Sequence, residues 1–366
     1  MSTRATGEIS RGELDVPSSL GGEHLRRRLL AFCLVIALVA AVITLAPGLG
    51  SLRSQFAHAR PGWLVLGAIL KVLSGLAYVL IFRAVFCRRM SWSLSAEIGL
   101  SELGANAVLP TGGAGGLALG AWALRRGGMD TGRIARRSVA FFFLTSVPNV
   151  LGVIVIGLGL ALGLFPGHVG LALTLGPALV AAASVALTLI SGRLAARAQR
   201  RAARRHGVDA RLPRILGAIA DGVGEALALL RAHDPLLLLG LLGYLGFDVM
   251  ILWATFHAFG SAPTLAIIWM GYLIGELGGL LPVPGGIGGV DLGLVATLVL
   301  YHVPVSVATA AVLGYRAIAL WIPAVLGSIA FVLLRRSLAR EETVISGCQE
   351  GDEVEVIGRG LVRVRA

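Results

Sequence analysis

Seven charged residues stand inside stretches that are otherwise apolar: Lys71, Glu97, Glu102, Asp248, Glu276, Asp291 and Arg316. A charge within a bilayer is expensive, and it persists where it meets a partner, a water-filled cavity or a group in transit. Glu276, Asp291 and Arg316 flank or follow the break Leu281-Pro282-Val283-Pro284-Gly285-Gly286. One reading is an Arg316–carboxylate pair that neutralises itself. The other gives Arg316 to an anionic group, with Glu276 or Asp291 holding it in place or taking a coupling proton. Asp248 is a further candidate for the proton. Lys71 and Glu97 lie close enough to the ends of their stretches to snorkel. Residues 286–290 are expected to open a short helix, whose unpaired N–H groups and positive dipole end favour an anion such as phosphate. Gly285, Gly286, Gly288 and Gly289 would let that ligand reach the backbone, which a side chain would prevent. Gly112 and Gly113 are their counterparts earlier in the chain, and Asn106 stands where it can cap freed backbone donors.

The elements that position these groups follow from composition. Of 366 residues, 56% are hydrophobic and 14% charged, which is too apolar for soluble domains and points to a polytopic, all-α membrane protein. The net charge of +12 does not indicate nucleic acid, because the arginines sit between apolar runs rather than on a soluble module. Cys33, Cys87 and Cys348 show no Cys-x-x-Cys spacing and no neighbouring His cluster. Neither a disulfide framework nor a metal site is expected, and no cofactor is implied.

Apolar runs long enough to span the hydrocarbon layer occur near 29–49, 62–86, 138–164, 168–191, 235–259 and 306–334, giving six full crossings. The stretches 92–124 and 263–300 are each broken by a Pro/Gly cluster and are expected to enter the membrane and turn back. Arginine placement supports this. Of the 32 basic residues, 28 fall in the N-terminal segment 1–28, the 83–89 junction, the 125–137 segment, the basic loop 193–231 and the tail 336–366 with its flanking Arg335. The positive-inside rule then puts both termini in the cytoplasm, provided that the two broken stretches are re-entrant from opposite sides. The arginines of 193–231 are expected to fix topology and meet anionic headgroups. The tail alternates apolar and charged residues around Gly358 and Gly360, which suggests a small β-hairpin.

The two breaks resemble each other. Residues 112–120 and 285–293 agree at six of nine positions, and each segment follows a Leu-Pro. Upstream, Glu102-Leu103-Gly104 is echoed by Glu276-Leu277-Gly278; downstream, Pro148 and Gly152 are echoed by Pro323 and Gly327. Four elements in one order indicate duplication, with repeat halves near 62–164 and 235–334. Opposed repeats with broken helices are a plan of secondary transporters, which bind substrate near the midplane where the repeats meet. Freed backbone groups there need a partner, and a substrate can supply it. The stripes Gly112/Gly116/Gly120, Gly271/Gly275/Gly279 and Gly285/Gly289/Gly293 equally suit close helix contact, and the two uses are compatible.

The Leu-Pro-x-Pro-Gly-Gly-x-Gly-x-x-acid run at 281–291, Arg316 in the next span and the Asn106…Leu109-Pro110…Gly-Gly segment resemble the flippase-like membrane domain of lysylphosphatidylglycerol synthases and their stand-alone relatives. The resemblance covers roughly 29–336. It implies a lipid flippase-like protein of the cell membrane whose cargo is an anionic phospholipid or a polyprenyl-phosphate lipid. Asp291 stands where the family often has glutamate, and Gly112 to Gly116 lack the Arg and Glu common at the first break. The alternatives are an accessory subunit beside a lipid-synthesis enzyme and an intramembrane enzyme. No Gly-x-Ser-x-Gly, His-Glu-x-x-His or Walker loop appears, and a transporter rather than an enzyme is expected.

Overall fold

The computed structural model describes residues 50–109, 114–167, 170–202, 211–277 and 289–338, and every element among them is a helix. In chain order these are α1 (Gly50–Ala57), α2 (Pro61–Phe86), α3 (Trp92–Val108), α4 (Ala114–Arg126), α5 (Thr131–Ala161), α6 (Leu171–Ala202), α7 (Arg211–Arg231), α8 (Pro235–Phe259), α9 (Leu265–Glu276), α10 (Gly289–Leu300) and α11 (Val305–Ser337). Four of them, α2, α5, α8 and α11, are long and apolar enough to cross a membrane. They match the spans expected near 62–86, 138–164, 235–259 and 306–334. The span expected at 168–191 falls in α6, whose apolar part is Leu171–Leu187. The span at 29–49 and the C-terminal β-hairpin lie outside the described residues. The chain is a multi-pass membrane protein.

Local chemistry sets the boundaries. Helices α2 and α8 each begin with a proline, where the missing N–H would have had no partner in any case. Asp234 caps α8 by accepting from the Leu236 N–H at 3.3 Å. Asp130 caps α5 from Arg133 N–H at 3.0 Å, and Ser91 caps α3 from Leu94 N–H at 3.2 Å. The basic segment 193–231 is helical where it is described: α6 runs on to Ala202 and α7 fills Arg211–Arg231. Arginine, alanine and leucine are strong helix formers, so a basic run on that background continues a helix. Arg137 of α5 anchors α7 through Glu225 at 2.6 Å and donates to the Val85 carbonyl at 2.6 Å. One expectation needs correction: Cys87 is disulfide-bonded, where a free thiol was expected.

Each broken stretch contains two helices that pair antiparallel. In the first, Gly116 and Gly120 of α4 lie against Asn106 and Glu102 of α3; in the second, Gly271 and Gly275 of α9 lie against Leu298 and Leu294 of α10. These glycines act as contact surface, since a Cβ on any of them would overlap the facing arm. Residues 110–113 and 278–288, between the arms in sequence, lie outside the described residues.

The duplication is written in the packing. Helix α2 lies on α8, α3 on α11 and α5 on α9, while α2 also meets α11 and α5 meets α8. Within each half, the first long helix touches the first hairpin arm, the arms touch each other, and the second arm touches the next long helix. Exchanging α2–α5 for α8–α11 maps the α2–α8 contact onto itself and each of the others onto a second one. The outer surface is apolar, with Phe142, Leu187 and Leu242 each about 70% exposed, as lipid-facing positions should be.

The tightest seam joins α3 to α11. A Cβ on Gly104 would stand 2.7 Å from the Gly327 Cα and 2.9 Å from the Pro323 carbonyl oxygen. Backbone there meets backbone, the arrangement that small residues permit between membrane helices. The related α5–α9 seam is looser, since a Cβ on Gly152 would meet only the Leu273 and Trp269 side chains, at 3.0 and 3.3 Å. Gly104→Ala and Gly327→Ala should each therefore destabilise the fold by about 1–3 kcal/mol, the usual effect of overpacking. Gly62→Ala, with nothing within 4 Å, should not. Thermal unfolding in detergent measures all three, and a Gly104→Ala protein as stable as wild type would contradict the seam.

Candidate functional site

The charged residues of the second half converge with one residue of the first. Lys71 Nζ of α2 donates to both carboxylate oxygens of Asp248 on α8, at 2.8 and 3.1 Å. Lys71 is 7% exposed and Asp248 6%, so Lys71 does not snorkel. It stands ten residues into α2, roughly 15 Å along the axis at 1.5 Å per residue, which is depth enough to forbid escape to water. A pair buried this way is held by mutual neutralisation, because either charge alone would be costly.

Arg316 of α11 pairs with Asp291 of α10, Nε to Oδ1 at 2.6 Å. Asp291 lies in the first turn of α10, where the dipole end favours an anion. Glu276, the last residue of α9, interacts electrostatically with Arg316, Asp248, Lys71 and Asp291 alike. Tyrosines fill the spaces between. The Tyr272 hydroxyl is 3.5 Å from Asp248 Oδ2, Tyr272 stacks edge-on against Tyr315 at 6.0 Å, and Tyr244 faces both Asp248 and Glu276. Two cations and three carboxylates thus share one region where α2, α8, α9, α10 and α11 meet, Lys71 and Asp248 buried and the other three half-buried. The arrangement can balance, exchange or bind charge inside an apolar bundle. It shows no nucleophile–base geometry among the described residues.

Sequence had grouped Glu276, Asp291 and Arg316, and the structure brings them together. Asp248, a proton candidate by sequence, is here the counterion of Lys71. Lys71 was counted among the intramembrane charges but also read as able to snorkel, and the three tyrosines were missed. The available signal for Lys71 was its singularity, one lysine among 32 basic residues, but its partner is 177 positions away. Gly289 opens α10, whereas Gly112, Gly113, Gly285, Gly286 and Gly288 lie outside the described residues. Asn106 takes its expected place as a backbone acceptor: its Oδ1 receives the Gly116 N–H at 2.7 Å. Glu97 is half-buried, with its Oε2 enclosed.

The first half lacks this chemistry. The separations of 175 and 173 residues that relate the repeats put Phe141 where the second half has Arg316, and Ala118 where it has Asp291. Phe141 packs edge-on against Tyr78 at 5.1 Å. Glu102, the counterpart of Glu276, is 3% exposed and accepts from the Tyr78 hydroxyl at 2.8 Å.

Removing one member of the Lys71–Asp248 pair strands the other. Lys71→Met or Asp248→Leu alone should destabilise the protein by about 3–5 kcal/mol, and the double variant should recover most of the loss. A double-mutant cycle by thermal or denaturant unfolding checks this; additive losses would mean that the pair is not coupled.

Comparison with known proteins agrees with the geometry. A UPF0104 membrane protein of Methanocaldococcus jannaschii is 29% identical over 97 residues, which is 26% of this chain and 29% of that protein. The match therefore spans under a third of the relative. Residues 29–327 match the family described as the lysylphosphatidylglycerol synthase TM region, and the chain belongs to that family.

Proposed function

We propose that the protein moves an anionic, phosphate-bearing lipid between the leaflets of the cell membrane, a phospholipid or a polyprenyl phosphate, without altering its covalent structure. The observation that carries this reading is the Arg316–Asp291 pair at the N-terminal turn of α10. Arginine keeps its charge in any surroundings and presents a planar fork of donors that fits a phosphate as well as a carboxylate. A lipid phosphate arriving at α10 exchanges with Asp291 at the guanidinium, and the first-turn N–H groups add further donors. Gly289 keeps that approach open, and Gly285, Gly286 and Gly288 lie just upstream. Lys71, Asp248 and Glu276 keep the surrounding charge close to balance. Acyl chains remain along the apolar outer face.

The exchange-related packing supports a rocking movement of one half on the other, with α2–α8 as its central contact. In this proposal six helices cross the membrane, the α3–α4 and α9–α10 hairpins are re-entrant from opposite sides, and both termini are cytoplasmic, as the arginine distribution favours. An accessory role beside a lipid-synthesis enzyme is the second reading; the helix α7, anchored by Arg137–Glu225, would be its natural contact.

Purified protein in liposomes should redistribute a fluorescent anionic phospholipid faster than protein-free vesicles. Arg316→Ala should lower that rate at least tenfold, and Arg316→Lys should keep part of it. No redistribution of phospholipid or polyprenyl phosphate by wild type sinks the transport reading, and a lipid of changed mass after incubation would favour an enzyme. Cysteines placed at the exposed positions Thr131 and His302 should be labelled from opposite sides of the membrane. Labelling from one side would overturn the opposed hairpins.

A further inference from the structure

We infer that Glu102 is a proton-binding site, loaded while the first hairpin is packed against α11 and discharged when they part. Its carboxyl group is enclosed on every side that the structure describes. Tyr78 of α2 donates to Oε2 at 2.8 Å, and the other oxygen rests against Gly120 of α4, where no Cβ could fit. Two residues further along α3, Gly104 closes onto Gly327 and Pro323 of α11. Tyr78 in turn is backed by Phe141 and Tyr244 at 5.1 and 5.4 Å.

Among the described residues no cation faces this carboxyl. On α2, Lys71 is held by Asp248 of α8, and Arg83 donates to the Met90 carbonyl and lies over Trp92. Between its first turn and Arg335, α11 has only Arg316, which pairs with Asp291. Helix α4 carries Arg125 and Arg126 in its last turn, beyond Gly120. Helix α5 carries Arg133, Arg136 and Arg137 near its start, the last tied to Glu225 and Val85. On α3 the other acid is Glu97, five residues earlier. The partner of the Glu102 carboxyl among these is the neutral Tyr78 hydroxyl. An anion enclosed with one neutral donor is costly, while a neutral acid there is not.

The contrast with the second half sharpens the point. Glu276, at the related position, interacts with Arg316 and Lys71, whereas Glu102 is bonded to Tyr78, which packs on Phe141, the residue at the arginine's place. One hairpin is thus equipped for an anion and the other for a proton. Discharge breaks the carboxyl O–H bond and hands the proton to water admitted between α3, α4 and α11; repacking requires the proton to return. Coupling of this cycle to lipid movement rests on the transport reading above, whereas the proton site does not.

Infrared spectra of the full chain in nanodiscs, wild type against Glu102→Gln, read the site directly. At neutral pH wild type should show a protonated-carboxyl C=O band that the variant lacks, and that disappears as the sample is made alkaline. Tyr78→Phe should keep the band but shift its frequency, since the hydrogen bond is lost. If Glu102→Gln keeps every protonated-carboxyl band and loses carboxylate absorption instead, Glu102 is ionised and the inference fails. In liposomes, an imposed pH gradient should change the lipid redistribution rate of wild type several-fold and leave Glu102→Gln unaffected. A wild-type rate indifferent to the gradient overturns the coupling. A wild type that moves no lipid while its band is present overturns the transport reading and upholds the proton site.

Discussion

Everything in this molecule is arranged around the difficulty of keeping charge inside an apolar bundle. Lys71–Asp248 ties the two halves together at their central contact, α2 against α8, and does so at a depth where neither side chain can reach water. A hydrophobic pair would hold two helices as well or better. What an ion pair adds is a requirement: the halves can part only if each charge finds a new partner. Arg316–Asp291 lies in the same region with one member in a helix first turn, and Glu276 interacts with both pairs. Changes at one pair are therefore felt at the other.

The fold uses duplication for geometry and divergence for chemistry. The contacts of α2–α5 and α8–α11 exchange with one another, and both hairpins place glycine against the facing arm. Yet the charged set belongs almost wholly to one half. Where the second half has Arg316 and Asp291, the first has Phe141 and Ala118, and the tightest backbone approach, Gly104 to Gly327, is likewise unmatched at Gly152. A symmetric frame that carries unlike sites suits a cycle in which one face opens as the other closes.

Much of this was legible in the chain because apolar length and arginine spacing are one-dimensional signals. The four longest apolar helices, the two breaks and the grouping of Glu276, Asp291 and Arg316 all follow from residues less than about 40 positions apart. The glycine stripes also announced their packing role, which Gly116, Gly120, Gly271 and Gly275 fill. Contacts between the halves were not legible, since Lys71 finds Asp248 across 177 residues and no local pattern encodes that distance. Length misled at Lys71, where nearness in sequence to the start of a hydrophobic run suggested snorkelling.

In the proposed transport, the guanidinium of Arg316 is the place where a lipid phosphate enters the bundle. Native mass spectrometry of the protein released from membrane-derived nanodiscs, compared with Arg316→Gln, tests that most directly. Wild type should retain a phosphate-bearing anionic lipid, and the variant should lose it while keeping its fold. Equal retention of the same lipid by both proteins, or retention of neutral lipids only, would contradict the account.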